Sequence, residues 1–400
     1  MAIRIKVARS AEELDNVFWL RHQVYVAEDK KFGDRGFPDQ RISDRFDALP
    51  GVANIIAYDE DEPVGTIRVN LDSSVGLPSE KYFNFHPARL EVRKAVKKVK
   101  NKPIFVSAGM LAVRKNWMRR SNVIYALLKT ATGILHSWGA THLIATVNHD
   151  TISMYGRLGF EALGEPRWVE SIGNHVVPMI AEFKKTYEWA FGGLLDEESE
   201  SFWLNTFSDC FERLLLPPGV QLFEEGMETD YAYIIDQGEV SISRRDSDGK
   251  ELTLATLCKG ELFGELSLLD GEPRSAGAIT KSKVELIRLS RGDFSAAIDD
   301  DPRLLHRLVR LLVKRIRHTD ELALVMAYAP QADRVKFALN KLRKSAIIDR
   351  KRPSAKLVRL GPSELAKTAG VREKEVRSVL EMERMEGHLE YGEKVIRFLG

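Results

Sequence analysis

Cysteine is nearly absent: Cys210 and Cys258 are the only two in 400 residues. A disulfide framework is thereby excluded, as is the set of about four thiolates that an iron–sulfur cluster uses. No run approaches about 18 consecutive apolar residues, so no membrane span is expected. The opening MAIRIKVARSAEELD lacks the apolar centre of a secretion signal. There is no internal repeat and no low-complexity tract. Net charge is small, with 60 Lys and Arg against 58 Asp and Glu, or +2, so the overall balance names no partner. With 44% hydrophobic and 30% charged residues, the expectation is a cytoplasmic chain of roughly two or three packed domains. No metal site is read from it.

Charge is uneven along the chain. Residues 330–400 hold 17 Lys and Arg against 10 Asp and Glu, a net +7, and the preceding residues come to −5. A basic terminal module on a mildly acidic body suggests an anionic partner; a solvated basic face is the plain alternative. The acidic run LLDEESES at 194–201, after Gly192-Gly193, reads as the start of a linker over 193–213. Before it, strands and helices alternate as in an α/β layer: two strands about the turn at 59–63, a helix near 121–138, then the strand HLIATV. Over 214–300, short β-rich runs (YAYIID, VSISRR, LTLATL, VELIRL) alternate with glycine turns, as in a barrel or roll. A long amphipathic helix occupies most of 301–329, with leucines at three- and four-residue steps, and Pro330 stops it. Shorter helices and a final strand pair fill 330–400. The fold class is multidomain α+β.

The most specific segment is 263–276, FGELSLLDGEPRSA. A glycine lets backbone N–H groups approach a ligand, a carboxylate follows it, and a short turn carries an arginine and then a hydroxyl. N–H groups with one arginine suit a phosphate monoanion, and a carboxylate suits a ribose hydroxyl. A cyclic nucleotide carries both. The segment resembles the phosphate cassette of cyclic-nucleotide-binding domains in the catabolite activator (Crp/Fnr) regulator family. The resemblance implies that Glu265 takes the ribose 2′-hydroxyl and Arg274 the cyclic phosphate. Ser275 and the backbone of Gly264, Leu266 and Ser267 would add contacts. Thr319, in RIRHTDEL, falls where that family's long helix offers a threonine to adenine, and Asp320 follows where serine is common. Cyclic AMP is the favoured ligand.

SELAKTAGVREKEVRSVLEMERMEGHLEY places Ala366, Gly370, Val376 and Val379 where two crossing helices and their turn need a small residue, a glycine and an apolar inner face. It resembles the winged helix-turn-helix reader of the same regulators, which bind DNA as homodimers paired along the long helix. The second helix would present Arg372, Glu373, Lys374, Arg377 and Ser378 to the major groove, with Arg377 suited to guanine.

The amino-terminal 1–192 is read from N148-H-D-T-I-S-M-Y155-G-R-L-G-F160. An Asn with a Tyr seven residues on resembles the last motif of the GNAT acyltransferase fold. There the Tyr can protonate a leaving thiolate, and the Asn holds the pantetheine arm. The family's phosphate loop would fall at Arg119-Arg120-Ser121-Asn122-Val123-Ile124, which keeps an arginine and lacks both glycines. Arg114, Arg119, Arg120 and Ser121 are the residues that could attract the donor's phosphates. Arg21-His22-Gln23-Val24-Tyr25, Asp44-Arg45-Phe46-Asp47 and Val64-Gly65-Thr66-Ile67-Arg68 resemble acyl-homoserine-lactone synthases and related N-acyl amino acid synthases. Ser107 and Met110 stand where the lactone synthases carry Glu and Arg, so general N-acyl transfer is the preferred chemistry. Its donor would be acyl-coenzyme A or an acyl carrier protein. Glu28, Asp44 and Asp47 are candidate bases, Arg68 a candidate for an acceptor carboxylate, and Tyr155 the candidate acid. The basic run at residues 89, 93, 94, 97, 98, 100 and 102 would suit an acidic carrier or coenzyme phosphates, or simply be a solvated helix face. Three outputs stay open: a regulator coupled to an acyltransferase, a regulator whose added domain is inactive, and a nucleotide-gated enzyme that does not bind DNA.

Overall fold

The computed structural model describes every residue except 1, 32–36, 97–101, 119–121, 192–201, 208–211, 246, 248, 250, 350–351 and 400. The chain opens with strand Ile3–Val7 and helix Ala11–His22, whose Ser10 and Glu13 cap each other reciprocally. That helix continues into a π-helical turn, Gln23–Glu28. Strands Val52–Asp59 and Glu62–Leu71 form a hairpin on which the first strand and the central strand Phe105–Val113 pair at either side. Helix Val123–Ser137 lies across this sheet. Its apolar residues come at helical spacing, and Val123, Leu127, Ala131 and Ile134 are buried. Strands His142–Asn148 and Asn174–Glu182 extend the sheet, with the short helix Ile152–Arg157 between them.

The roll is built from two layers around Phe223, Tyr233, Ile235, Val240, Phe263 and Leu286. One layer holds Gln221–Phe223, Gly277–Thr280, Val240–Arg245 and Glu251–Leu257. The other holds Leu262–Phe263, Tyr231–Gln237, Val284–Ser290 and Arg213–Leu216, and it does not end there. Arg213–Leu216 pairs with Ile3–Val7, so one 12-stranded sheet runs through both halves.

The linker expected over 193–213 is corrected in its second part. Helix Phe202–Thr206 is described, and Trp203, Leu204 and Phe207 are buried against Phe294, Leu304 and Leu308. Aromatic and aliphatic residues spaced this closely gain more from burial than a solvated tether allows. The acidic start, 194–201, lies outside the described residues.

Helix Pro302–Tyr328 starts on Asp301, whose side chain accepts from the Arg303 N–H. Leu304, Leu308 and Leu322 are buried, whereas Leu305, Val309, Val313, Ile316 and Leu324 are exposed. Beyond Pro330 come helices Gln331–Ser345, Pro362–Ala369 and Glu373–Met385 and a four-stranded sheet ending in Val395–Leu399. Gly370, at φ +61, makes the turn between the last two helices. No described helix is long and apolar enough to cross a membrane.

Candidate functional sites

Glu265 and Arg274 are brought together in the roll, both buried. Gly264 has φ +74, and a Cβ there would fall on the Arg274 guanidinium, so only glycine allows this approach. Arg274 donates to the carbonyls of Gly264 and Tyr231 and, at 3.2 Å, to Thr229 Oγ1. Its guanidinium carbon stands 4.0 Å from the Phe223 ring centroid. Glu265 Oε1 is ion-paired with Arg315 of the long helix, while Oε2 is buried with no hydrogen-bond partner among the described residues. A buried carboxylate oxygen without a donor is costly, and a ribose hydroxyl would supply one. Ser267 is buried, and Leu266 and Ser275 are exposed. Thr319 is exposed on the long helix, its hydroxyl donating to the Arg315 carbonyl.

Arg315 was missed in the sequence. It stands one helical turn before Thr319, so the helix face that offers Thr319 to the site also offers Arg315.

In the amino-terminal half, the central strand pairs in parallel with His142–Asn148 over only three positions, Phe105 to Ser107 opposite His142 to Ile144. Residues 108–113 and 145–148 then have no ladder between them, which leaves a wedge between the strands. Met110, at φ +53, lies in this stretch of the central strand, where the register against Glu62–Leu71 shifts. Tyr25, in the π-turn, donates to the Leu111 carbonyl at 2.9 Å. Asn148 ends its strand half-buried, and Tyr155 is buried edge-on to Phe160. Burial pushes the Tyr155 hydroxyl up to about 12, so it keeps its proton at neutral pH.

Five of the candidate residues are engaged by neighbours. Arg68 is buried, with Nη1 2.7 Å from Asp44 Oδ1 and 2.8 Å from Asp47 Oδ2, so it is not open to an acceptor carboxylate. Asp47 also receives Arg21 at 3.0 Å. Burial pushes Asp47 up, but the charges of Arg21 and Arg68 outweigh it and hold the carboxyl below its usual range. A carboxylate held ionised in this way is a weak base. Asp44 caps the turn Arg45–Asp47 and accepts from the Phe46 N–H. Glu28 accepts from Arg114 Nε at 2.6 Å and from the Lys115 N–H at 2.9 Å, so neither Glu28 as base nor Arg114 as phosphate ligand is free. Arg119, Arg120 and Ser121 lie outside the described residues. In the basic run, Arg89 is buried and paired with Asp72 and Glu80, and residues 97, 98 and 100 lie outside the described residues.

In the terminal unit, Arg372 starts helix Glu373–Met385, and the hydroxyl of Ser378 donates to the Lys374 carbonyl. Arg377 is held by Glu373 and, from the strand connection, by Glu393 at 2.9 Å. Both carboxylates would have to release it before it could read a base. Glu383, Glu386 and His388 cluster near the end of the same helix, mostly exposed.

Residues 16–182 match the family of the N-acyl amino acid synthase FeeM, and residues 213–301 match the cyclic nucleotide-binding domain. Over 202 residues, the chain is 34% identical to the cyclic AMP receptor protein of Thermus thermophilus, covering 50% of this chain and 88% of that one. It is 38% identical over 104 residues to the CRP-like cAMP-activated global transcriptional regulator of Mycobacterium tuberculosis, covering 26% of this chain and 46% of that relative, less than half its length. Among solved structures, FeeM, an N-acyl amino acid synthase from uncultured soil microbes, is similar over 47% of this chain and 92% of that one, at 14% identity and a TM-score of 0.37.

Proposed function

Since this chain belongs to the cyclic AMP receptor family and its residues 16–182 match the FeeM synthases, we propose that it is a cyclic-AMP-responsive DNA-binding regulator joined to a GNAT-type N-acyltransferase. The observation that carries the reading is Glu265, whose buried Oε2 lacks a donor beside Arg274. A ribose 2′-hydroxyl satisfies the carboxylate, and the cyclic phosphate faces the arginine. Titration calorimetry tests it: cyclic AMP should bind, and Arg274→Ala should weaken binding about 30-fold or more, as loss of one partner of a buried charge pair does. Absence of binding by any cyclic mononucleotide would reject the reading.

The terminal unit is the reader, a winged helix-turn-helix turned at Gly370. The exposed apolar face of Leu305, Val309, Val313 and Ile316 supports pairing of two copies along the long helix. Cytoplasmic residence agrees with these roles.

In the amino-terminal domain, the wedge beside the central strand takes the thioester of acyl-coenzyme A or an acyl carrier protein, with Asn148 on the pantetheine arm. The amine nitrogen attacks the thioester carbonyl, a C–N bond forms and the C–S bond breaks. Tyr155 gives its proton to the leaving sulfur, and the amine's proton leaves to water, since Glu28, Asp44 and Asp47 are engaged elsewhere. The missing loop glycines and the Glu28–Arg114 pair favour a second reading, a domain that binds the donor without turnover. Release of free coenzyme A from an acyl-coenzyme A and a mixture of amino acids separates the two.

A further inference from the structure

Where the two halves meet, four charges close a seam. Across the paired strands, Ile3 lies opposite Leu215 and Ile5 opposite Arg213. Arg213 Nη1 is 2.7 Å from Asp236 Oδ2 and 2.8 Å from Glu285 Oε1. From the amino-terminal half, Lys129 Nζ reaches the same Asp236 oxygen at 2.7 Å and Glu285 Oε2 at 3.3 Å. Arg213, Asp236 and Glu285 are buried, Lys129 is 17% exposed, and the Phe191 ring lies beside the Arg213 guanidinium. Burial pushes Asp236 up, but Arg213 and Lys129 prevail and hold it below its usual range. Two cations thus face two carboxylates, and Lys129 is the one cation supplied by the amino-terminal half.

Both ends of this cluster lead to a ligand site. On one side, strand Tyr231–Gln237 carries Asp236. It pairs Ile234 with Leu262 and Tyr233 with Phe263, the two residues immediately before Gly264 and Glu265. The same strand's Tyr231 carbonyl holds Arg274, and the Leu262 carbonyl accepts from Arg315. On the other side, Lys129 sits on helix Val123–Ser137. It is six residues from the first residue of that helix, about 9 Å along the axis, and that helix packs on the central strand that borders the wedge.

We propose that the Lys129–Asp236–Glu285–Arg213 cluster couples the cyclic nucleotide site to the acyl-donor site, so that each ligand changes the affinity for the other. Filling the cassette displaces strand Tyr231–Gln237, and Lys129 carries that displacement to the helix that meets the donor. Lys129 is a positioning residue and touches neither ligand. The coupling rests on the donor-binding reading above. Linkage makes it mutual: the factor by which cyclic AMP changes donor affinity equals the factor by which the donor changes cyclic AMP affinity.

The test is calorimetry on the full chain with cyclic AMP and a non-reactive thioether analogue of lauroyl-coenzyme A, each titrated with and without the other at saturation. The wild type should show a shift of about 5–150-fold in either direction of titration. Lys129→Met with Asp236→Asn removes one charge of each sign and the Lys129 bonds across the seam, leaving the backbone ladder there in place. In that variant each ligand should still bind alone and the shift should fall to about one. Hydrogen exchange on the wild type needs no variant: cyclic AMP should change protection within residues 123–137. A folded double variant that keeps the wild-type shift overturns the proposal, as does unchanged exchange in that helix. If both ligands bind the wild type with no shift, the coupling fails and donor binding stands. If the analogue does not bind at all, the donor reading fails and takes the coupling with it.

Discussion

Asp47 illustrates how burial reassigns a residue that looks catalytic. Its carboxylate faces two buried guanidiniums, Arg21 and Arg68. Burial raises its pKa, the two positive charges more than reverse this, and the folded value lies below the ordinary 3.8. The unfolded chain therefore holds the proton more tightly than the folded one. The stabilisation is fully present above the unfolded value and is lost as pH falls through the lower folded value. Asp47→Ala leaves both arginines without this partner and should cost about 3–5 kcal/mol at pH 7. The gap to wild type should narrow below about pH 4; urea melts across that range measure it, and a constant gap would place its cause elsewhere. Tyr155 is the opposite case, an acid kept protonated by burial. Tyr155→Phe should lower kcat by about 100-fold or more while leaving the donor KM near its wild-type value, because the proton moves only in the transition state. Steady-state kinetics decide this, and equal loss in both constants would make Tyr155 a packing residue. The sequence marked both residues as candidates. What it could not supply was their neighbours: Arg68 reads as a free cation until Asp44 and Asp47 are seen to flank it.

Among elements, helix Pro362–Ala369 of the terminal unit is held to the roll by Lys281–Glu364 at 2.8 Å and Lys367–Glu251 at 2.7 Å. Met326 of the long helix also comes up against Gly370. Lys367 and its hydrogen bond lead in holding Glu251 below its usual range, against partial burial. Pairs this exposed contribute about 0–1 kcal/mol each, so the docking is weak enough for a ligand to reverse. Lys281→Glu with Glu251→Lys sets like charges across both contacts and leaves the reader's own surface intact. DNA affinity without nucleotide should then rise a few-fold, up to about tenfold, with the effect fading at high salt. Fluorescence anisotropy on labelled duplex at several salt concentrations measures it, and unchanged affinity would mean that this contact does not restrain the reader. Elements differ in how plainly the sequence announces them. The cassette was legible because its chemistry lies in consecutive residues, and the long helix because its leucines keep one period. Helix Phe202–Thr206 was not, since five residues are too few to establish a period and the acidic run before them masks their apolar character.

At the scale of the whole molecule, the domain boundary read from composition falls where the structure has a continuous ladder. A 12-stranded sheet spans it, and the pairing of Ile3–Val7 with Arg213–Leu216 leaves no hinge at the sheet itself. Nothing in the sequence marks this: Lys129, Arg213, Asp236 and Glu285 are ordinary charges spread over four separate stretches, and their meeting depends on the completed tertiary fold. That same pairing also imposes a timetable on biosynthesis. Ile5 meets Arg213, a partner translated 208 residues later. At about 5–20 residues per second, the first strand waits roughly 10–40 s on the ribosome with one backbone edge bare. An uncovered edge is a template for pairing with the wrong chain. Pauses in translation between those two strands lengthen the interval in which that edge can meet the wrong chain.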